Sequence, residues 1–240
     1  MKPIIIASAM ICAVFGISTD GHHETTFESL EGKPMGTENI HWYGQSSFRI
    51  TDDGKQIYID PWKLPNGLPK ASIILITHSH YDHFSPDDIA KIRTHSTVVF
   101  APADVAKKLN AKSIMPNESV TVDRVKIATI PAYNLKKPYH PRTNNWVGYI
   151  VTLSNGETIY HAGDTDFIPE MKSLKVDVAL LPVGGTYTMD AKEAAEAANS
   201  FHPKISVPMH YGDVVGSLKD AETFKKLVHG EVVILPRSKD

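Results

Sequence analysis

SIILITHSHYDH, from Ser72 to His83, decides how this chain is read. Ser72 to Thr77 holds a short apolar run of the kind that forms a strand buried on both faces. The run stops at Thr77, and four metal-capable side chains follow within six residues: His78, His80, Asp82 and His83. In an extended segment residues two apart point the same way, so His78, His80 and Asp82 can converge, and the turn into the next helix brings His83 round. Ser85 suits the N-cap of that helix, Pro86 its first position and Asp88 the capping-box position. The bland alternative is a polar loop whose histidines cluster by chance. It would leave uncharged imidazoles beside an aspartate without partners, an arrangement that is expensive to bury.

Outward from this stretch, a strand and hairpin signal covers Ile40 to Ile50 and a second strand covers Gln56 to Asp60. Helical spacing occurs at Pro86 to Thr94, Pro102 to Asn110, Asp190 to Phe201 and Lys219 to Val228. Further strands are expected at Val98 to Ala101, Val125 to Ile130, Trp146 to Leu153, Glu157 to Tyr160, Val176 to Leu181, Lys204 to Pro208 and Val232 to Leu235. Hairpins early and strands alternating with helices later indicate an α/β fold of two sheets with helices outside. The sequence has no internal repeat and no low-complexity tract.

The 240 residues carry 25 Lys plus Arg against 27 Asp plus Glu, a net charge of 25 − 27 = −2. That balance excludes a basic nucleic-acid grip, so no nucleic-acid partner is expected. With 42% apolar and 22% charged residues the bulk of the chain is globular, and its length suits one large α/β domain. The single cysteine, Cys12, excludes a disulfide framework and a cysteine-rich zinc module, so a metal would be held by nitrogen and oxygen. Met1 to Ser18 reads as a signal peptide: Lys2, an apolar run from Ile4 to Ile17, and small residues at Gly16 and Ser18. The run is 14 residues, short of the roughly 20 that span a bilayer. Ala9, Met10 and Ile11 before Cys12 do not fit a lipoprotein signal. Cleavage after Ser18 leaves a periplasmic or secreted chain of charge 24 − 27 = −3, with no cysteine and no membrane anchor. Residues 19–38 form a flexible lead-in with a solvated His22 and His23, and residues 39–240 form the folded domain.

His78-Ser79-His80-Tyr81-Asp82-His83 has the form His-x-His-x-Asp-His and resembles the metal-binding motif of the metallo-β-lactamase superfamily. The resemblance runs from Ile40 to Pro236. Tyr160 to Thr165 resembles the family's Gly-Asp-Thr segment, which implies that Asp164 bridges two metals. Val207-Pro208-Met209-His210 resembles the last motif, which implies that His210 is a ligand. Asp60 resembles the early strand-terminal aspartate that supports the site from behind its ligands. Asp60-Pro61-Trp62, His161-Ala162-Gly163-Asp164 and Pro208-Met209-His210-Tyr211 are most similar to the general metal-dependent hydrolase branch, which also contains ascorbate-phosphate lactonase-like enzymes. The implied fold is a four-layer αββα sandwich, two mixed β-sheets with helices on the outer faces.

One position departs from the pattern. After the strand Val125 to Ile130 the family usually supplies a histidine, and here the turn reads Pro131-Ala132-Tyr133-Asn134. An amide oxygen bonds zinc weakly, so His140, on a loop stiffened by Pro138 and Pro141, is the better candidate ligand. The resemblance then implies His78, His80 and His140 on one metal, Asp82, His83 and His210 on the other, and Asp164 between them. Two divalent cations about 3.5 to 4 Å apart share a hydroxide that attacks an ester, lactone or phosphoester bond of a small molecule. Zinc suits the donors, and manganese, nickel or iron also fit. Asp82 would orient or deprotonate the water. A di-iron oxidoreductase normally wants a glutamate where this chain has Tyr81 or Ser79, which disfavours redox chemistry. His161 is expected to support the site, and Tyr187, on the loop Gly184 to Met189, to contact substrate; Trp42, Trp62 and Trp146 are expected in the core. The competing function is a metal-binding or sensing protein without turnover.

Overall fold

The computed structural model describes residues 36–239. The expected signal peptide and most of the lead-in, with His22 and His23, lie outside the described residues.

The layers follow from the alternation of side chains along the central strands. β3 (Lys55–Ile59) and β4 (Ile73–Leu75) run parallel, side by side. Ile57, Ile59, Ile73 and Leu75 enter one core, while Tyr58, Ile74 and the following Ile76 enter a second. Successive strand residues face opposite ways, so a strand apolar at every position must be covered on both sides. A second sheet covers one side and helices cover the other.

The first sheet runs β1 (Ile40–Gly44), β2 (Ser47–Asp52), β3, β4, β5 (Val98–Ala101) and β6 (Lys112–Ser113), antiparallel up to β3 and parallel from there. In the second, the spatial order is β13 (Glu231–Val232), β12 (Ile205–Met209), β11 (Val178–Pro182), β10 (Thr158–His161), β9 (Val147–Thr152), β8 (Val125–Pro131) and β7 (Ser119–Val122). Its strands are parallel from β13 to β10 and antiparallel from β10 to β7. Outside the first sheet, α1 (Pro86–Ile92) and α2 (Ala103–Leu109) bury Ile89, Ile92, Val105 and Ala106. On the far side, α3 (Ala191–Phe201) and α4 (Leu218–Leu227) pack against β11 and β12, with Ala194, Ala198 and Phe224 buried. This is the αββα sandwich that the motifs imply. No helix among the described residues is long and apolar enough to cross a membrane.

Three local readings need correction. β6 and β7 are absent from the sequence reading because short edge strands with exposed positions bury little and leave almost no apolar pattern. The last strand lies at Glu231–Val232 rather than Val232 to Leu235. Ser85 does cap α1, its hydroxyl accepting from the Asp88 amide at 3.3 Å. The Asp88 carboxylate, however, accepts from the Lys63 and Leu64 amides at 2.8 and 3.1 Å and ties the loop after β3 to the helix instead of reaching back to Ser85.

The strand directions position the site. β1, β3 and β4 point one way in the first sheet, and β8, β10, β11 and β12 do so in the second. Their carboxyl ends meet at a single edge, which is where open α/β sheets hold ligands.

Candidate metal centre

Each of these strand ends delivers one part of the site. After β4 come His78, His80, Asp82 and His83; after β3, Asp60; after β8, Asn134 and the loop carrying His140; after β10, Asp164; after β12, His210. Asp60 and His210 adopt left-handed backbone conformations (φ 48° and 59°), an unusual state for non-glycine residues that turns the chain sharply just past the strand. Gly184, after β11, passes so close that a Cβ there would stand 2.4 Å from the His210 carbonyl oxygen.

Hydrogen bonds fix which nitrogen each imidazole presents. Thr77 Oγ1 gives its proton to Asp60 Oδ2 at 2.6 Å, so at 2.9 Å it accepts from His78 Nδ1 and leaves Nε2 free of a proton. His83 Nδ1 donates to Asp60 Oδ2 at 2.7 Å. Its other oxygen accepts from the Thr77 amide at 2.7 Å, so the Asp60 carboxylate holds both His83 and the start of the His78 segment. His140 Nδ1 donates to Asn134 Oδ1 at 3.0 Å. The Asn134 amide is itself fixed, because its Nδ2 donates to Asp166 Oδ1 and to the Tyr187 carbonyl at 2.9 and 3.0 Å. Asn134 therefore aims His140 and is not the donor facing the other ligands.

Two groups of donor atoms result. His78, His80, His140 and Asp164 form one, and Asp82, His83 and His210 form another, with all donors in each group within 4.8 Å of one another. In the first, His80 Nδ1 stands 3.1 Å from His78 Nε2 and 3.2 Å from His140 Nε2, and Asp164 Oδ2 lies 3.3 Å from His140 Nε2. In the second, His83 Nε2 lies 3.6 Å from Asp82 Oδ2 and 3.2 Å from Asp164 Oδ1, and His210 Nε2 lies 3.6 and 3.1 Å from the same two carboxylates. Donors bonded at 2.0 to 2.1 Å to a tetrahedral centre stand about 3.3 to 3.4 Å apart, so both groups have the spacing a cation requires. His83 Nε2 and Asp164 Oδ1 are buried without a hydrogen-bond partner, a state that a shared cation would relieve. A third grouping, Asp60 with His78 and His83, is accounted for by the hydrogen bonds just described.

The electrostatics differ between the groups. Burial, with the nearby His83 charge, holds His78 well below the ordinary histidine range, and burial, with His140, lowers His80. Burial also pushes His83 down, but the charges of Asp164 and Asp60 outweigh it and raise His83 well above that range. His210 reaches about 9, because Asp164 and Asp82 overcome its burial. Burial pushes both carboxylates up; the imidazoles His210 and His83 more than offset this, holding Asp164 well below the usual carboxylate range and Asp82 below it.

Every ligand candidate named from the sequence is therefore in one place. His161 is no member of either donor group; its Nε2 lies 2.9 Å from the Ser46 carbonyl and its Nδ1 accepts from the Gly163 amide at 3.2 Å, tying the β1–β2 turn to the segment that carries Asp164. Tyr187 lines a cavity of about 250 Å³ that also takes in His80, Asp82, Asp164, Tyr81 and Tyr139. Trp146 is buried as expected, but its ring packs 4.9 Å from those of both His78 and His80 and so forms an apolar wall of the site. Neither the aiming role of Asn134 nor the approach of Gln45 to Asp82 and His210 carries any signal in the sequence.

The family model of the β-lactamase superfamily domain matches residues 39–210, a span that contains all of these groups. The chain belongs to the metallo-β-lactamase superfamily, in its metal-dependent hydrolase branch. Among its relatives, a UPF0173 metal-dependent hydrolase of Thermococcus kodakarensis is 37% identical over 218 residues, covering 82% of this chain and 95% of its own. The crystal structure of a metal-dependent hydrolase from Parabacteroides distasonis is also 37% identical, with a TM-score of 0.75 over 83% of this chain and 93% of that one. Igni18, a metallo hydrolase from Ignicoccus hospitalis, is 28% identical with a TM-score of 0.68, covering 82% and 94%.

Proposed function

We propose that the chain hydrolyses an ester or lactone bond of a small uncharged molecule, with His78, His80 and His140 holding one divalent cation, Asp82, His83 and His210 a second, and Asp164 both. The observation that carries this reading is the shared Asp164: its two oxygens lie within 3.3 Å of His140, His83 and His210, side chains of both donor groups. Zinc is the first candidate for the His/Asp donors. When bound, the cations supply a polarised carbonyl and a water acidic near neutral pH. Asp82, at the cavity wall, would orient that water and take up its proton.

The cavity supports an uncharged substrate over a phosphoester. Tyr81, Tyr139, Tyr187 and Val214 give it an apolar mouth, with the Tyr139 and Tyr187 rings 4.8 Å apart, and its lining contains no lysine or arginine. Nearby cationic side chains are paired elsewhere: Lys137 with Asp166 and Lys63 with Asp213. A phosphoester would meet no charged side chain at this mouth and would depend on the cations alone to offset its desolvation.

The test is to strip the protein of metal, restore zinc or manganese, and assay p-nitrophenyl hexanoate, a γ-lactone and bis(p-nitrophenyl) phosphate. Metal should raise turnover of the ester or lactone at least 100-fold, with the phosphodiester slower. Two bound cations per chain with no turnover of any of the three would favour a metal-binding or sensing protein instead.

A further inference from the structure

Gln45, in the turn between β1 and β2, has no exposed surface and no part in the reading above. Its Nε2 stands 2.9 Å from Asp82 Oδ2 and 2.9 Å from His210 Nε2, two atoms assigned to the same cation. Its Oε1 is buried without a hydrogen-bond partner. The turn that carries it is locked: the Gln45 carbonyl accepts from the His210 amide at 2.8 Å and from Trp42 Nε1 at 3.0 Å, and Gln45 itself sits at φ 47°.

A buried amide that served packing alone would satisfy both of its ends, because an orphaned buried carbonyl oxygen forfeits its hydration without recompense. The carboxamide is also nearly symmetric in shape, so a half-turn exchanges oxygen and nitrogen without displacing a neighbour. With no cation, the NH2 group donates to Asp82 Oδ2 at 2.9 Å. Once that oxygen is given to a cation, an N–H aimed at the same point is repelled and the amide oxygen is attracted. The spacing agrees: donors at right angles about a centre with bonds of about 2.1 Å are about 3.0 Å apart.

We propose that Gln45 is a switching ligand of the cation assigned to Asp82, His83 and His210. Its amide oxygen completes the coordination when the cation is present, and its NH2 group donates to Asp82 when it is not. The inference rests on the metal-site reading above. A neutral oxygen donor in place of a nitrogen makes this site the weaker of the two for zinc and the more tolerant of manganese or iron.

The experiment titrates the metal-free full chain with Co²⁺, following visible absorption and metal stoichiometry by elemental analysis. Gln45→Glu keeps the shape and adds a charge, and should tighten the second equivalent at least tenfold. Gln45→Leu removes the donor, and should weaken that equivalent at least tenfold, raise its absorption per cobalt as the coordination number falls, and leave the first equivalent unchanged. Unaltered affinity and spectrum in both variants would overturn the inference. Should Gln45→Leu not fold, Gln45→Glu decides alone, and equal or weaker binding of its second equivalent overturns the proposal. A wild-type chain that takes one cation ends the two-cation reading, and Gln45 is then judged by whether Gln45→Glu tightens that one. A wild-type chain that binds none ends both.

Discussion

His83 and His140 present the same atom, Nε2, to the two donor groups of the candidate metal centre, yet they are held from behind by different chemistry. His83 leans on the buried Asp60 carboxylate at 2.7 Å, and His140 leans on the neutral Asn134 amide at 3.0 Å. Both supports fix the ring and its tautomer, but only the carboxylate also adds negative charge. The half around His83 thus gathers Asp60, Asp82 and Asp164, and its histidines hold on to protons. The other half gathers three imidazoles and shares Asp164, and His78 and His80 in it are held neutral. Orientation is needed on both sides, while charge is concentrated on one, so the two halves should differ in how they respond to mutation and to pH.

The largest effect should come from the ligands themselves. His80→Ala and His210→Ala each remove one donor, from opposite halves, and should strip most of the metal from the half concerned and lower activity at least about 100-fold. Elemental analysis that finds two cations per chain in both variants would break the assignment at its base.

The supports come next and sharpen the contrast directly. Asp60→Asn removes charge as well as the acceptor, and should weaken the His83 half by about 100-fold. Asn134→Ala removes only a neutral acceptor, and should weaken the His140 half by about tenfold, less than His140→Ala does. Metal titrations in which Asn134→Ala matches or exceeds Asp60→Asn would remove the distinction between the two supports.

A change of pH separates the two halves without any substitution. His83 is raised well above the ordinary histidine range and His210 to about 9, so between pH 7 and about 9 both protons must leave before a cation can bind, and affinity there should rise by up to about tenfold per pH unit for each proton. His78 and His80 are lowered and carry no proton in that window, so the other half should be far less dependent on pH. Calorimetric titrations at pH 7, 8 and 9 that gave the same slope for both cations would contradict this.

The ligand types were legible because their signal is local. Ile73 to Ile76 followed by His78, His80, Asp82 and His83 is a buried strand with its metal-capable side chains a few residues on, and Asp60, Asp164 and His210 close comparable segments. His140 was reached by chemical elimination along one short loop. Apart from Asp60, the partners that aim and tune those side chains were not legible. Asn134 is fixed by Asp166 and by the Tyr187 carbonyl, 32 and 53 residues further on, and the β1–β2 turn is braced by His161 115 residues away. Gln45 meets His210 across 165 residues because the end of β1 in one sheet abuts the end of β12 in the other. Periodicity and motif spacing determine which strands end in donors, since they depend on neighbours a few residues apart. Which strand ends face each other depends on sheet order and on how the two sheets stack, and only the tertiary structure decides that.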